Sequence, residues 1–139
     1  HCRADVLSKL YQWGAPEESW EEILSYLEKE KYIDESRYAV AFARDKYRFN
    51  QWGRIKISQA LRMKQIPSAC ISEALEEIEE KEYLSVLTAL LKKKLRSVKA
   101  SSDYERNGKL IRFAVGHGYE VSDILHCLKQ LGYEVEDTE

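Results

Sequence analysis

Arg37, Arg44 and Arg48 recur at intervals of seven and four residues, which at about a hundred degrees per residue places them within about forty degrees of one another around a helix. Lys92, Arg96 and Lys99 repeat this arrangement later in the chain, and Lys109 and Arg112 extend it onto the next helical stretch. Lys46 and Lys93 lie in the same two blocks. Arg54, Lys56, Arg62 and Lys64 are less orderly, straddling both flanks of a segment whose apolar positions are Ile57, Ala60 and Leu61. Cations gathered in stripes suit the binding of phosphates or acidic protein surfaces. If about five of them met phosphates of one nucleic-acid strand, affinity would fall with salt at a log–log slope of roughly −3.5. Tyr47, Phe49 and Trp52 are interleaved with these cations. Exposed aromatics can stack on unpaired bases, whereas aromatics at a helix corner more commonly pack that corner, and packing is the expectation here.

Other chemistries find little support. Cys2, Cys70 and Cys127 are odd in number, widely spaced and form no CxxC pair, so neither a disulfide framework nor a zinc ribbon is expected. His126 and Cys127 are adjacent and cannot easily face one ion from a helix. Cys70 and Cys127 both fall near apolar helix faces, where packing is the simpler role. His117 follows Phe113 and Ala114 by four and three residues, as a packed or capping histidine would. The glutamates between Glu76 and Glu82 lack the pocket and perturbing partner that acid–base catalysis needs. No nucleophile motif or phosphate-cradling glycine loop is present. The reading is a non-enzyme without metal or cofactor.

A net charge of −2 over 139 residues conceals an alternation. Residues 1–36 carry −5, 37–65 carry +7, 66–86 carry −5, 87–112 carry +6 and 113–139 carry −5. Two basic surfaces separated by acidic helices are expected, with pairing between units as the simpler alternative. The longest uninterrupted apolar run, Tyr38 to Ala43, is far too short to span a bilayer. No secretory signal opens the chain, so a cytoplasmic monomer with reduced thiols is expected.

The elements that position these cations repeat. Val6, Leu10, Pro16, Trp20, Leu24, Leu27 and Tyr32 fall 51 residues before Ile57, Leu61, Pro67, Ile71, Leu75, Ile78 and Tyr83. Ile124, Leu128 and Leu131 lie 53 residues beyond Ile71, Leu75 and Ile78, and Tyr133 echoes Tyr83. With two prolines and six glycines in the whole chain and an apolar period close to 3.6, the spacing predicts an all-α protein of tandem three-helix repeats. These are expected to form an elongated, curved, right-handed or solenoid-like array without one compact core. The predicted units are 1–33, lacking its opening helix, 34–84 and 85–139. Asp34, Ser85 and Asp103 are predicted N-caps, and Pro67 opens the third helix of the middle unit. In that unit's first helix, Tyr38, Ala41, Phe42 and Phe49 are the expected apolar face. In the last unit it is Leu87, Leu90, Leu91 and Val98, opposite Lys92, Arg96 and Lys99.

The residues Ile33-Asp34-Glu35-Ser36-Arg37-Tyr38-Ala39, followed by Phe42, Arg44, Asp45, Phe49 and Trp52-Gly53-Arg54, and then by Ile57, Leu61, Lys64 and Ile66-Pro67, resemble the bacterial RecX family. The resemblance covers nearly the whole chain. That family usually carries glycine where this chain has Gln65, so a differently shaped corner is expected there. The resemblance implies a regulator of the RecA recombinase in DNA repair. It would lie along the groove of the RecA–single-stranded DNA filament and restrain filament growth, ATP hydrolysis and strand exchange. It also implies DNA binding by the chain alone, single-stranded and also double-stranded. On this reading Arg44→Glu with Arg48→Glu weakens filament binding and leaves helicity unchanged. The competing readings are a helix-turn-helix-like DNA-binding regulator that acts without a recombinase, and a purely protein-binding scaffold.

Overall fold

The computed structural model describes residues 3–14 and 19–133. Cys2, Pro16 and the side chains of Val6, Leu7 and Leu10 lie outside the described residues. Among those described there are seven helices and no strand: α1 (Arg3–Gln12), α2 (Trp20–Phe49), α3 (Arg54–Met63), α4 (Ser68–Glu76), α5 (Glu80–Leu95), α6 (Asp103–Gly116) and α7 (Val121–Gln130). Helices α2, α3 and α4 pack mutually, as do α5, α6 and α7, while α1 rests on α2 and α2 also touches α5. The protein is a tandem helical repeat.

The first helix of the middle unit begins earlier than expected. Residues 20–49 contain neither glycine nor proline and are rich in Glu, Lys, Leu, Ala and Arg, so nothing interrupts the helix. Asp34 therefore lies inside a 30-residue α2 rather than capping a new helix. Glu21 and Glu22 in its first turn and Lys46 and Arg48 in its last complement the helix dipole. Ser85 likewise lies within α5, so the expected boundaries at 33/34 and 84/85 both fall inside continuous helices. The N-cap of α6 is Ser102, one residue before Asp103, and its side chain accepts from the Glu105 N–H. Pro67 stands at the N-cap of α4, and its carbonyl accepts from the Ile71 N–H.

The buried face of α2 is also rotated from the expected one. Ala39, Ala43 and Tyr47 are buried, with Val40 beside them, whereas Tyr38 and Phe49 are exposed. Small residues on α2 face an α4 that buries Cys70, Ile71 and Ala74, and this pairing lets two backbones approach closely. Large aromatics pointed the sequence reading to the neighbouring face. In α3, Ile57 and Leu61 are buried as expected, joined by Ser58.

Three helices end alike. Gln65, Gly118 and Gly132 have φ of 62°, 95° and 89°. After α3, the Gln65 N–H donates to Arg62 O (2.9 Å) and the Ile66 N–H to Leu61 O (3.1 Å). The same pair of bonds links Gly118 and Tyr119 to Val115 and Ala114, and Gly132 and Tyr133 to Lys129 and Leu128. This is the Schellman arrangement, in which a left-handed residue turns the chain and an apolar one follows. Gln65 thus keeps a glycine-like backbone, and the corner is not reshaped as expected.

The two three-helix units share one continuous core, running from Ala39 through Tyr83 to Leu128. They lock together at one junction. The Gly53 N–H donates to His117 O (2.7 Å) and the Ile55 N–H to Gly118 O (3.0 Å). A Cβ on Gly53 would stand 2.3 Å from the backbone C and O of Gly118, so only glycine permits this approach. Tyr47, Tyr83 and Tyr119 form a ring chain across the junction, with centroids 6.4 and 5.2 Å apart.

Candidate functional site

The sequence-derived cations separate into those that hold the fold together and those left without a carboxylate partner. Arg54 belongs to the first group. Its guanidinium lies 3.9 Å from the Tyr83 ring centroid, bonds Glu80, and stands 3.7 Å from Asp123 and 4.0 Å from Glu120. Its backbone N–H donates to the Tyr83 hydroxyl (2.9 Å). Burial opposes the charge on Arg54, but the carboxylates outweigh it and raise its pKa. Burial raises the Tyr83 and Glu120 pKa values. Arg48 makes a two-point contact with Glu82, at 2.7 and 3.2 Å. Reversing Arg48 therefore breaks an ion pair, so Arg44→Glu with Arg48→Glu is no longer a purely surface change.

Three further cations of the second unit lie on aromatic rings. Lys46 is 5.4 Å from the Phe42 centroid and 4.8 Å from that of Trp52. Lys56 lies 4.6 Å from Trp52, and Lys64 lies 5.7 Å from Phe42. Phe42 and Trp52 meet edge to face at 6.3 Å. Of the interleaved aromatics, Tyr47 is core, Trp52 is partly buried against the core and Phe49 is 75% exposed. Arg37 and Arg44 line a shallow groove of about 330 Å³ with Tyr32, Ile33 and Val40. Arg62 is exposed at the end of α3.

In the third unit the cations converge. Lys94, Lys99, Lys109 and Arg112 line one cleft of about 530 Å³, together with Ser97, Val98 and Phe113 and no acidic residue. Two elements build it. The last turn of α5 supplies Lys94, whose ammonium lies 4.9 Å from the Phe113 centroid, and α6 supplies Lys109, Arg112 and Phe113. The intervening loop contributes Lys99. It is fastened by Lys109 Nζ, which donates to Lys99 O (2.6 Å) and lies 3.2 Å from Glu105. Because α5 ends at Leu95, Lys99 lies beyond the helix on which its stripe was expected. Lys92, Lys93 and Arg96 are exposed nearby. The sequence reading passed over Lys94 and Phe113. An available signal was the 48-residue spacing from Lys46 to Lys94, each on the last turn of its helix and over an aromatic ring.

Of the other candidates, Cys70 and Cys127 are buried, with pKa values raised by burial. His117 caps α6 and packs on Phe113 at 4.7 Å. Among the described residues no three His, Cys, Asp or Glu side chains are grouped to hold a metal ion. No helix among them is long and apolar enough to cross a membrane.

Two three-helix units fused through a shared core, with a basic cleft on the second of them, define a tandem-repeat helical protein. Residues 34–75 match the family description "RecX, second three-helix domain", and residues 80–128 match "RecX, third three-helix domain". Similar proteins named "Regulatory protein RecX" occur in Chlorobaculum tepidum (30% identical over 129 residues, 93% of this chain and 78% of the relative), Clostridium botulinum (29% over 135 residues, 95% and 63%) and Bacillus mycoides (28% over 116 residues, 84% and 43%). The chain belongs to the RecX family. It spans 43% of the length of the Bacillus mycoides relative and 63% of the Clostridium botulinum one. No solved structure matches it.

Proposed function

We propose that this chain binds the RecA–single-stranded DNA filament and restrains the recombinase's ATP hydrolysis and strand exchange, acting in the cytoplasm as a regulator rather than an enzyme. The observation that carries this reading is the separation of cations by role. Arg48 and Arg54 are committed to carboxylates, whereas Lys92, Lys93, Lys94, Arg96, Lys99 and Arg112 have no ion pair within 4.0 Å among the described residues. Like charges held near one another are costly without a polyanion to meet them. Arg37, Arg44 and Arg62 supply further unpaired contacts on the second unit, so that several weak attachments act together along a filament.

A helix-turn-helix reading fits less well. Helix α4, in the place of a recognition helix, exposes Glu73 and Glu76, and a carboxylate face repels the phosphates flanking a major groove. The deciding measurement is the single-stranded-DNA-dependent ATPase of the cognate recombinase with and without this chain. A reduction at saturating chain, relieved by rising salt, is expected. An unchanged rate would sink the filament reading and leave DNA binding alone as the function.

A further inference from the structure

We infer that the α5–α6 cleft is a site for one unpaired nucleotide step of single-stranded nucleic acid, with the phosphodiester on Lys99 and Arg112 and the base over Phe113. This rests on the filament reading but assigns its DNA contact to one place. The cleft, of about 530 Å³, is open to solvent. Its charged lining is wholly cationic, which selects an anion. The aromatic ring then narrows the choice. Phe113 is partly buried against the core and carries the Lys94 ammonium over its ring at 4.9 Å. A base can take that position, since every base has a π-face, and the flexible lysine is then free to turn toward the phosphate. An acidic peptide offers carboxylates to the cations, but a flat ring to Phe113 only where an aromatic residue happens to stand beside them, whereas every nucleotide carries both. A duplex offers phosphates, but its bases are already stacked and paired.

The cleft is also pre-shaped. Ser97 Oγ donates to Lys94 O (3.1 Å), the Val98 N–H donates to the same carbonyl (3.0 Å), and Lys109 Nζ holds Lys99 O. The loop that presents Lys99 is thus tied to both helices. Lys109, with one bond to the loop and another to Glu105, acts as a positioning residue.

The test uses the whole chain and the fluorescence anisotropy of a labelled thymidine oligomer and of a duplex of equal length, over a range of salt. The wild type binds the single strand more tightly than the duplex. Phe113→Leu lowers single-strand affinity about tenfold and removes the preference, while Phe113→Tyr retains both. Lys99→Gln with Arg112→Gln makes the salt slope shallower by roughly 1.4, with circular dichroism unchanged. Arg37→Gln with Arg44→Gln leaves the single-strand preference intact. Equal binding of the two forms by the wild type, or Phe113→Leu behaving as wild type, overturns the assignment, whatever the recombinase ATPase shows. So does a wild type that binds neither DNA yet restrains the ATPase through Lys99 and Arg112, because the cleft would then hold an acidic protein surface. Conversely, intact single-strand binding without any effect on the ATPase supports the cleft and removes the filament reading.

Discussion

The second and third units carry similar basic charge, yet they use it differently. In the second unit the cations are dispersed. Arg48 and Arg54 reach carboxylates of the following unit, Lys46, Lys56 and Lys64 cover aromatic rings, and Arg37 and Arg44 edge a groove on α2. In the third unit four cations meet in one cleft, with only Lys109 paired. The same residue types thus serve as cement in one unit and, on the function proposed above, as a binding surface in the other. What decides is which charges lie opposite. The acidic block that follows the second unit's cations folds back onto them through Glu80 and Glu82, and Glu120 and Asp123 close the arrangement from α7. No such block reaches the third unit's cleft among the described residues.

The largest disturbance to this division comes from the junction that makes the two units one body. Gly53→Ala forces a methyl group to within 2.3 Å of the Gly118 backbone, and a clash with main chain cannot be relieved by a rotamer change. We expect a loss of about 3 kcal/mol, read by urea unfolding, with a broadened or two-step transition as the units part. A single sharp transition at wild-type denaturant would show that the contact is not needed. Next comes Arg54→Met, which keeps the bulk but removes the charge that Glu80, Glu120 and Asp123 surround. Arg54's side chain is 21% exposed while Glu80 is 59% exposed, so solvent screens part of the effect, and a loss of about 2 kcal/mol is expected. Arg112→Ala, made on the binding side of the comparison, should change stability by less than about 0.5 kcal/mol.

How much of this was legible in the sequence depends on the length scale. The repeat, the helical class and the corner residues Gly118 and Gly132 follow from periodicity and turn chemistry, which are local. The N-caps at Asp34 and Ser85 failed because a good capping residue cannot end a helix that lacks glycine and proline around it. The buried face of α2 differs from the expected one because Tyr38 and Phe49 carry more apolar surface than Ala39 and Ala43, while close packing selects the smaller residues. The stripe of Arg37, Arg44 and Arg48 was visible, but the commitment of Arg48 to Glu82, 34 residues away, was not. Neither was the cleft. It depends on the chain between α5 and α6 bringing Lys94, Lys99 and Phe113 together, and the sequence pattern does not encode that return.

The corners sharpen the same comparison by a smaller amount. The third unit turns on Gly118, which must be glycine to dock against Lys56, whereas the second turns on Gln65, whose side chain is exposed. A side chain in the left-handed region is strained. Gln65→Gly should therefore stabilise the chain, by about 1 kcal/mol less the added entropy of the unfolded glycine. A loss of stability would mean that Gln65 makes a contact that offsets the strain.

The smallest expected effect is a pH response confined to the third unit. Glu105 accepts from the Ser101 hydroxyl (2.6 Å) and N–H (3.2 Å) and lies 3.2 Å from Lys109. These hydrogen bonds, with the ammonium, lower its pKa from 4.5 to about 2. A carboxyl whose folded pKa is depressed adds stability that is complete above its unfolded value and is lost as pH falls through the folded one. The loop before α6 should accordingly loosen between about pH 4.5 and pH 2, read as faster amide exchange at Ser101 and Glu105. Because Glu105 lies at the surface, where solvent and salt screen such interactions, the response should shrink in high salt. It should also vanish in Glu105→Gln, while amide exchange at the Arg54 junction stays as in the wild type. If the two regions loosened together in that variant, the third unit's loop would be coupled to the junction, and the division between binding and structural cations would fail.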